Sequence, residues 1–281
     1  MPGLFRNQAL SLRPLLVERF EAPSAMNDKW TMFISEFIGT ALLLLVGLSI
    51  VILDFGEGSP VIRLIPDEGL RRLITGFPFG TTSALIAVSP VGKHGGPHIN
   101  PVVALAFWLM GKLRGTHALI YVVAQLARAI AGTALLVLWG RMGQSTEFGA
   151  TLPGVAYGSG GALLGEIATT FALITGFFLS LRHRTLRSFT PLLFPFLYAI
   201  MVYLEALISG TSTNPARSLG PAVISGDWPA WWVYWIGPML GTLAAVAVYR
   251  ITWLRRLEIE VATLFYFDHD PHGIFRWRAA R

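Results

Sequence analysis

Apolar residues in this chain gather into runs long enough to cross hydrocarbon, which takes about 20 residues of helix. Clear runs cover Trp30 to Leu53, Leu119 to Trp139, Gly161 to Leu181, Pro191 to Ile208 and Trp231 to Trp253. A weaker run from Leu73 to Val91 is diluted by Thr75, Gly76, Pro78, Gly80, Thr81, Thr82 and Ser83. Small and hydroxylated residues let helices approach closely, so this run predicts a helix packed within a bundle. The pattern predicts an all-α polytopic membrane protein with six transmembrane helices.

The runs fall into two related halves. Glu36-Phe-Ile-Gly-Thr40 opens the first span and Glu166-Ile-Ala-Thr-Thr170 opens the fourth. Each half then carries an Asn-Pro pair, Asn100-Pro101 and Asn214-Pro215, and a tyrosine, Tyr121 or Tyr234, near the start of the next span. That register sets Gln125 against Pro238 and Arg128 against Gly241. Three spans per half is an odd number, so the second copy enters from the opposite side and the repeats are inverted. Inverted repeats usually place their site at the interface between copies, near the bilayer midplane, with interrupted helices contributing to it.

The interrupted helices are predicted at the two Asn-Pro loops. Asn is a favoured helix N-cap and Pro suits the first turn, where its missing N–H costs nothing. The apolar stretch after each Pro is too short to span, so both segments are expected to be re-entrant half-helices. Such backbone is tolerated at membrane depth only where protein or a water-filled cavity satisfies it. If they enter from opposite faces, their positive ends meet at the centre and repel cations, while the Asn amides donate hydrogen bonds to passing water.

Charge refines the picture without changing the class. Only 14% of the 281 residues are charged, against about 25% in soluble domains. The net charge of +6 raises nucleic acid as a partner. Most Lys and Arg flank the apolar runs, however, which is a topology signal. Cytoplasmic termini put sixteen of the 22 basic residues inside. No cysteine is present, which excludes disulfides, thiolate metal sites and thiol redox chemistry. The expected layout is a cytoplasmic tail at 1–29, a channel domain at 30–252 with repeats at 30–140 and 160–252, and a cytoplasmic tail at 253–281.

The motif Gly210-Thr-Ser-Thr-Asn-Pro-Ala-Arg-Ser-Leu-Gly-Pro-Ala-Val223 resembles the aquaporin and aquaglyceroporin (major intrinsic protein) family. Glu36, Glu166, Gln125 and the loop Gly96-Pro-His98-Ile-Asn-Pro101 share that resemblance, which covers roughly residues 30 to 252. It implies six tilted helices, two half-helices in inverted repeats, one pore per subunit, a homotetramer in the cell membrane, no cofactor and no metal. The central constriction would comprise Asn100, Pro101, Val102, Asn214, Pro215 and Ala216. Val102 stands where the family usually has Ala and adds bulk where the half-helices meet.

The same resemblance places a selectivity filter at Phe79, Val202, Thr211 and Arg217, with Glu36, Glu166 and His98 supporting the loops. Arg217 offers permanent charge and fixed donors. Water channels of the family resemble one another in having His where this chain has Val202, so a wider, less polar opening is expected. Ser218, Ala222 and Tyr234-Trp235 resemble the water-conducting branch instead. The expected function is passive permeation of water, with hydrogen peroxide or ammonia as further solutes. The alternatives are a glycerol- or urea-conducting facilitator and a nonconducting membrane-junction protein of the same fold.

An intramembrane enzyme using Glu36, Glu166 and His98 is disfavoured, because these residues sit in separate repeats around a nucleophile-poor loop. An ion-coupled transporter shares the inverted repeats and would show flux that depends on ion gradients. Arg128 and Glu205 are unexplained charges within spans, and the sequence leaves open whether they pair. Trp228, Trp231, Trp232 and Trp235 read as interfacial anchors. The tract Asp268-His269-Asp270-Pro271-His272 is expected to be solvated and to hold no metal.

Overall fold

A computed structural model describes residues 29–251 apart from residues 97, 184 and 185. The tails expected at 1–29 and 253–281, with the Asp268 to His272 tract, lie outside the described residues, except that Lys29 already belongs to the first helix.

Eleven α-helices run through the described residues: α1 (Lys29–Phe55), α2 (Pro60–Leu64), α3 (Glu68–Val88), α4 (Pro90–Gly95), α5 (Pro101–Leu109), α6 (Gly115–Ala134), α7 (Gly140–Gln144), α8 (Gly158–Arg182), α9 (Thr190–Ser209), α10 (Pro215–Ser225) and α11 (Val233–Ile251). Four stretches are long and apolar enough to cross a membrane unaided: Phe33–Phe55, Gly115–Gln144, Gly158–Arg182 and Leu186–Ser209. The more polar α3 and the shorter α11, at 21 and 19 residues, bring the long helices to six. The short α5 and α10 sit where half-helices are expected.

Element ends follow local chemistry. The weak run starts earlier than its apolar residues suggest, because Asp67 caps α3 by accepting the Leu70 N–H at 2.6 Å. It stops at Val88, short of the expected Val91, because Pro90 pushes Ser89 into an extended conformation. The run expected to Trp139 is α-helical only to Ala134 and tightens into a 3-10 turn over Leu135–Trp139.

The packing is inside-out relative to a soluble protein. On α1, Ile34, Ile38, Leu42 and Val46, spaced at one face of a helix, are 36–50% exposed. Glu36, Glu166, Thr40 and Thr170 are fully buried. Apolar atoms belong outside when the surroundings are hydrocarbon, and polar groups are then satisfied within the bundle.

Internal symmetry shows in the closest packing. The α1–α6 contact is mirrored by α8–α11, while α3 and α9 pack together across the repeats. Gly76 and Gly80 of α3 lie directly against the backbone of α9 at Tyr198–Ala199 and Phe194–Pro195, with no room for a Cβ. The glycines that diluted the weak run are therefore the surface through which the two halves join.

Candidate functional site

Each Asn-Pro loop starts its helix as the sequence predicts. Asn100 caps α5 by accepting the Val102 N–H at 3.0 Å. Asn214 caps α10 by accepting the Ala216 and Arg217 N–H groups at 3.0 and 3.3 Å. Across the interface, Asn100 Nδ2 donates to the Thr213 carbonyl and Asn214 Nδ2 to the Ile99 carbonyl, both at 2.9 Å. Each bond uses one of the two N–H groups of its amide.

This exchange requires an unusual backbone. Ile99 and Thr213, each immediately before its Asn, have φ of 50° and 51°. Left-handed backbone is a genuine outlier for β-branched residues and persists only where the surroundings enforce it. Two buried carboxylates enforce it here. Glu36 accepts the backbone N–H groups of His98 and of Ile99, the latter at 2.8 Å. Glu166 accepts those of Ser212 and Thr213 at 2.7 and 2.8 Å. The predicted supports Glu36 and Glu166 therefore hold the turns whose carbonyls tie the two halves together.

His98 is fully buried, stacked on Phe107 at 4.9 Å and edge-on to Tyr121 at 4.7 Å between ring centroids. It is wedged in the interior, as a residue supporting the loop would be. Val102 and Ala216, 1% and 0% exposed, are both buried. Pro101 and Pro215 occupy the first turns of α5 and α10.

Beside the start of α10, Phe79, Val202, Thr211 and Arg217 all line one cavity of about 210 Å³. Arg217 Nη1 donates to the Gly149 carbonyl at 2.6 Å. Gly149 belongs to a turn, Glu147–Gly149, whose three residues all have positive φ. Burial pushes the Glu147 carboxyl above its ordinary range, and the negative charge of Asp227 adds to that shift. The Phe79 ring lies 5.5 Å from that of Tyr198 and leaves no space for a side chain at Gly47, where a Cβ would be 2.7 Å from the ring. At the mouth, Arg72 pairs with Glu68 at 2.8 Å, and both line the cavity.

Two charges left open by the sequence do not pair with each other. The Arg128 guanidinium lies 3.3 Å from the centroid of Phe37 and its Nε donates to the Phe37 carbonyl. Its repeat mate Gly241 presses against the carbonyl of Ile167, the residue equivalent to Phe37. Glu205 instead accepts the Thr211 hydroxyl at 2.5 Å. Sequence reasoning also missed Asp54, which accepts the hydroxyl of the cavity-lining Thr75 at 2.6 Å, and the Gly149 carbonyl. An acid near a span end flags Asp54, whereas no side-chain signal marks a carbonyl.

The family described as Major intrinsic protein matches residues 24–249. The chain is 34% identical over 236 residues to Probable aquaporin PIP2-7 of Oryza sativa subsp. japonica, covering 79% of this chain and 80% of that protein. It is 31% identical over 233 residues to Aquaporin-4 of Mus musculus, covering 82% and 70%. The solved aquaglyceroporin from Plasmodium falciparum aligns with a TM-score of 0.66 at 18% identity, covering 82% of this chain and 98% of that one.

Proposed function

Because the chain belongs to the major intrinsic protein family and is a passive membrane channel for water, we propose that its crossed Asn-Pro loops form the central constriction and that Phe79, Val202, Thr211 and Arg217 form the selectivity filter. The observation that carries this reading is the shared cavity of those four residues, two of which, Thr211 and Arg217, flank Asn214 in the chain.

Water passes in single file. At the centre, the second N–H of each Asn amide donates to a water oxygen, which then has its hydrogens directed outward along the file. A chain of waters polarised in opposite senses on the two sides of that point does not relay a proton. The N-termini of α5 and α10 add their positive ends at the same place, which disfavours cations and hydronium. Arg217 supplies a second positive barrier and a fixed set of donors to the solute oxygen. No bond is made or broken, so the residues bind and orient without catalysis.

Val202 argues for a solute range beyond water. A branched apolar side chain at that wall removes a polar contact, which suits small neutral molecules such as hydrogen peroxide or ammonia. The same residue favours glycerol or urea as the second reading. We assign the channel domain to 30–252 and place both termini in the cytoplasm of a cell-membrane homotetramer. The distribution of basic residues and the exposed apolar faces of α1 and α9 support that arrangement.

Stopped-flow light scattering on proteoliposomes tests the proposal. Shrinkage under an impermeant sugar gradient is expected to be fast, with little swelling in glycerol. Rapid glycerol entry into the same vesicles moves the assignment to the second reading. Shrinkage no faster than that of empty liposomes, with insertion verified, overturns the channel.

A further inference from the structure

Glu205 is 5% exposed within α9, a costly place for a carboxyl group unless its contacts are specific. One such contact reaches the cavity wall. Its Oε2 accepts the hydroxyl of Thr211 at 2.5 Å, and Thr211 lines the cavity together with Val202, which is three residues before Glu205 on α9. The other oxygen, Oε1, is pressed against Gly165 of α8, where any Cβ would overlap it. The acid thus sits in a slot that exists because position 165 has no side chain.

Thr211 itself is held in an unfavourable shape. Its φ is 52°, and its N–H donates to Ser209 Oγ at 3.2 Å. Ser209 Oγ in turn donates to Glu166 at 2.6 Å. A threonine hydroxyl has one hydrogen and two lone pairs. With the hydrogen committed to Glu205, the side chain can offer the channel only lone pairs and a methyl group. Arg217 is then the filter's donor, and Thr211 is purely an acceptor.

We propose that Glu205 is a positioning residue that sets solute selectivity by taking the Thr211 hydroxyl hydrogen, so that this wall of the filter accepts from the N–H and O–H groups of a solute, as in water and ammonia, and offers no donor to a solute carbonyl. The inference rests on the assignment of Thr211 and Arg217 to the filter. Urea is the probe, because its N–H groups are served by the wall in either case and its carbonyl gains a partner only when the Thr211 hydrogen is released.

Full-length protein in liposomes supplies the test, read as the ratio of urea permeability to water permeability. In Glu205→Leu the Thr211 hydroxyl is free to turn toward the channel. The ratio is expected to rise about threefold to tenfold, the effect of gaining one hydrogen bond. Gly165→Ala, which displaces the acid from behind without touching the cavity, should raise the ratio in the same direction. Thr211→Val removes the hydroxyl, so adding Glu205→Leu to it should leave the ratio unchanged.

A ratio unchanged in both Glu205→Leu and Gly165→Ala, with water flux merely reduced, overturns the proposal and leaves Glu205 a structural acid. A ratio that shifts equally with and without the Thr211 hydroxyl also overturns it, because Glu205 would then act by another route. Failure of the filter assignment has a different signature: Arg217→Val would leave every solute ratio unchanged.

Discussion

In the first Asn-Pro loop, one carboxylate, Glu36, takes two backbone N–H groups, and His98 packs between Phe107 and Tyr121. In the second loop, Glu166 does the same work for Ser212 and Thr213, but it also accepts Ser209. A chain of hydroxyls extends outward from there. Ser212 bonds Ser218 at 2.5 Å, Ser218 bonds Thr151 at 2.7 Å, and Thr211 bonds Glu205. Three residues after Asn100 stands Val103, 2% exposed, whereas three after Asn214 stands Arg217. The two loops share a backbone geometry and differ in side-chain chemistry. One half meets its partner at the centre, while the other also carries a buried charge, Arg217, which donates to the Gly149 carbonyl.

The largest test of this contrast removes the carboxylates. Glu36→Ala strands two buried N–H groups, each costing about 1–3 kcal/mol. Glu166→Ala strands two as well and also releases Ser209, so it should destabilise more, by roughly another hydrogen bond of about 1 kcal/mol. Thermal unfolding in detergent, followed by tryptophan fluorescence, ranks the two variants. Equal losses would mean that the extra contacts of the second loop contribute nothing to its stability.

Next in size is Arg217→Val, which makes the second half match Val103 of the first. Loss of a charged donor at a solute contact is worth about 1.5 kcal/mol or more, so glycerol or urea entry should rise about tenfold. Water flux is expected to persist. Loss of water flux together with normal folding would show that Arg217 is needed for conduction and not for discrimination.

Val102→Ala sharpens the comparison at the centre by giving both loops the same residue after Pro. Val102 is almost completely buried, and removal of two buried carbon groups costs about 0.8 kcal/mol each, or about 1.6 kcal/mol in total. Water permeability should change less than about twofold, a factor corresponding to about 0.4 kcal/mol, because the Asn amides proposed to line the constriction stay in place. A larger change would make the bulk of Val102 part of the constriction.

Much of this contrast is legible in the sequence. The paired Asn-Pro motifs fix the helix starts because capping chemistry is local, and Glu36 and Glu166 stand out as acids within apolar runs. Phe79, Val202 and the Thr211–Arg217 motif come from three separate places in the chain, and only a family resemblance brings them together before the fold is known. The backbone of Ile99 and Thr213 is not legible, because β-branched residues ordinarily avoid left-handed φ and tertiary contacts override that preference here. The pairing of Glu205 is equally hidden, since it depends on a gap at Gly165 in a different helix.

The smallest expected effect concerns the turn that the second loop recruits and the first has no match for among the described contacts. Arg217 is held by the Gly149 carbonyl, and that turn begins with Glu147, whose carboxyl is raised by partial burial and by the negative charge of Asp227. A raised folded-state value means that the ionised form is disfavoured in the fold. Glu147 therefore weakens the turn once pH is high enough to ionise it, and the penalty disappears as pH falls through its titration. Glu147→Gln should match the parent in melting temperature under acid conditions and become slightly more stable than the parent as pH rises to neutral. Only a small gap is expected, because Glu147 is partly exposed and solvent screens part of its charge. A gap that opens in the opposite direction would mean that the Glu147 charge supports the turn, and the carbonyl holding Arg217 would then depend on an ionised residue.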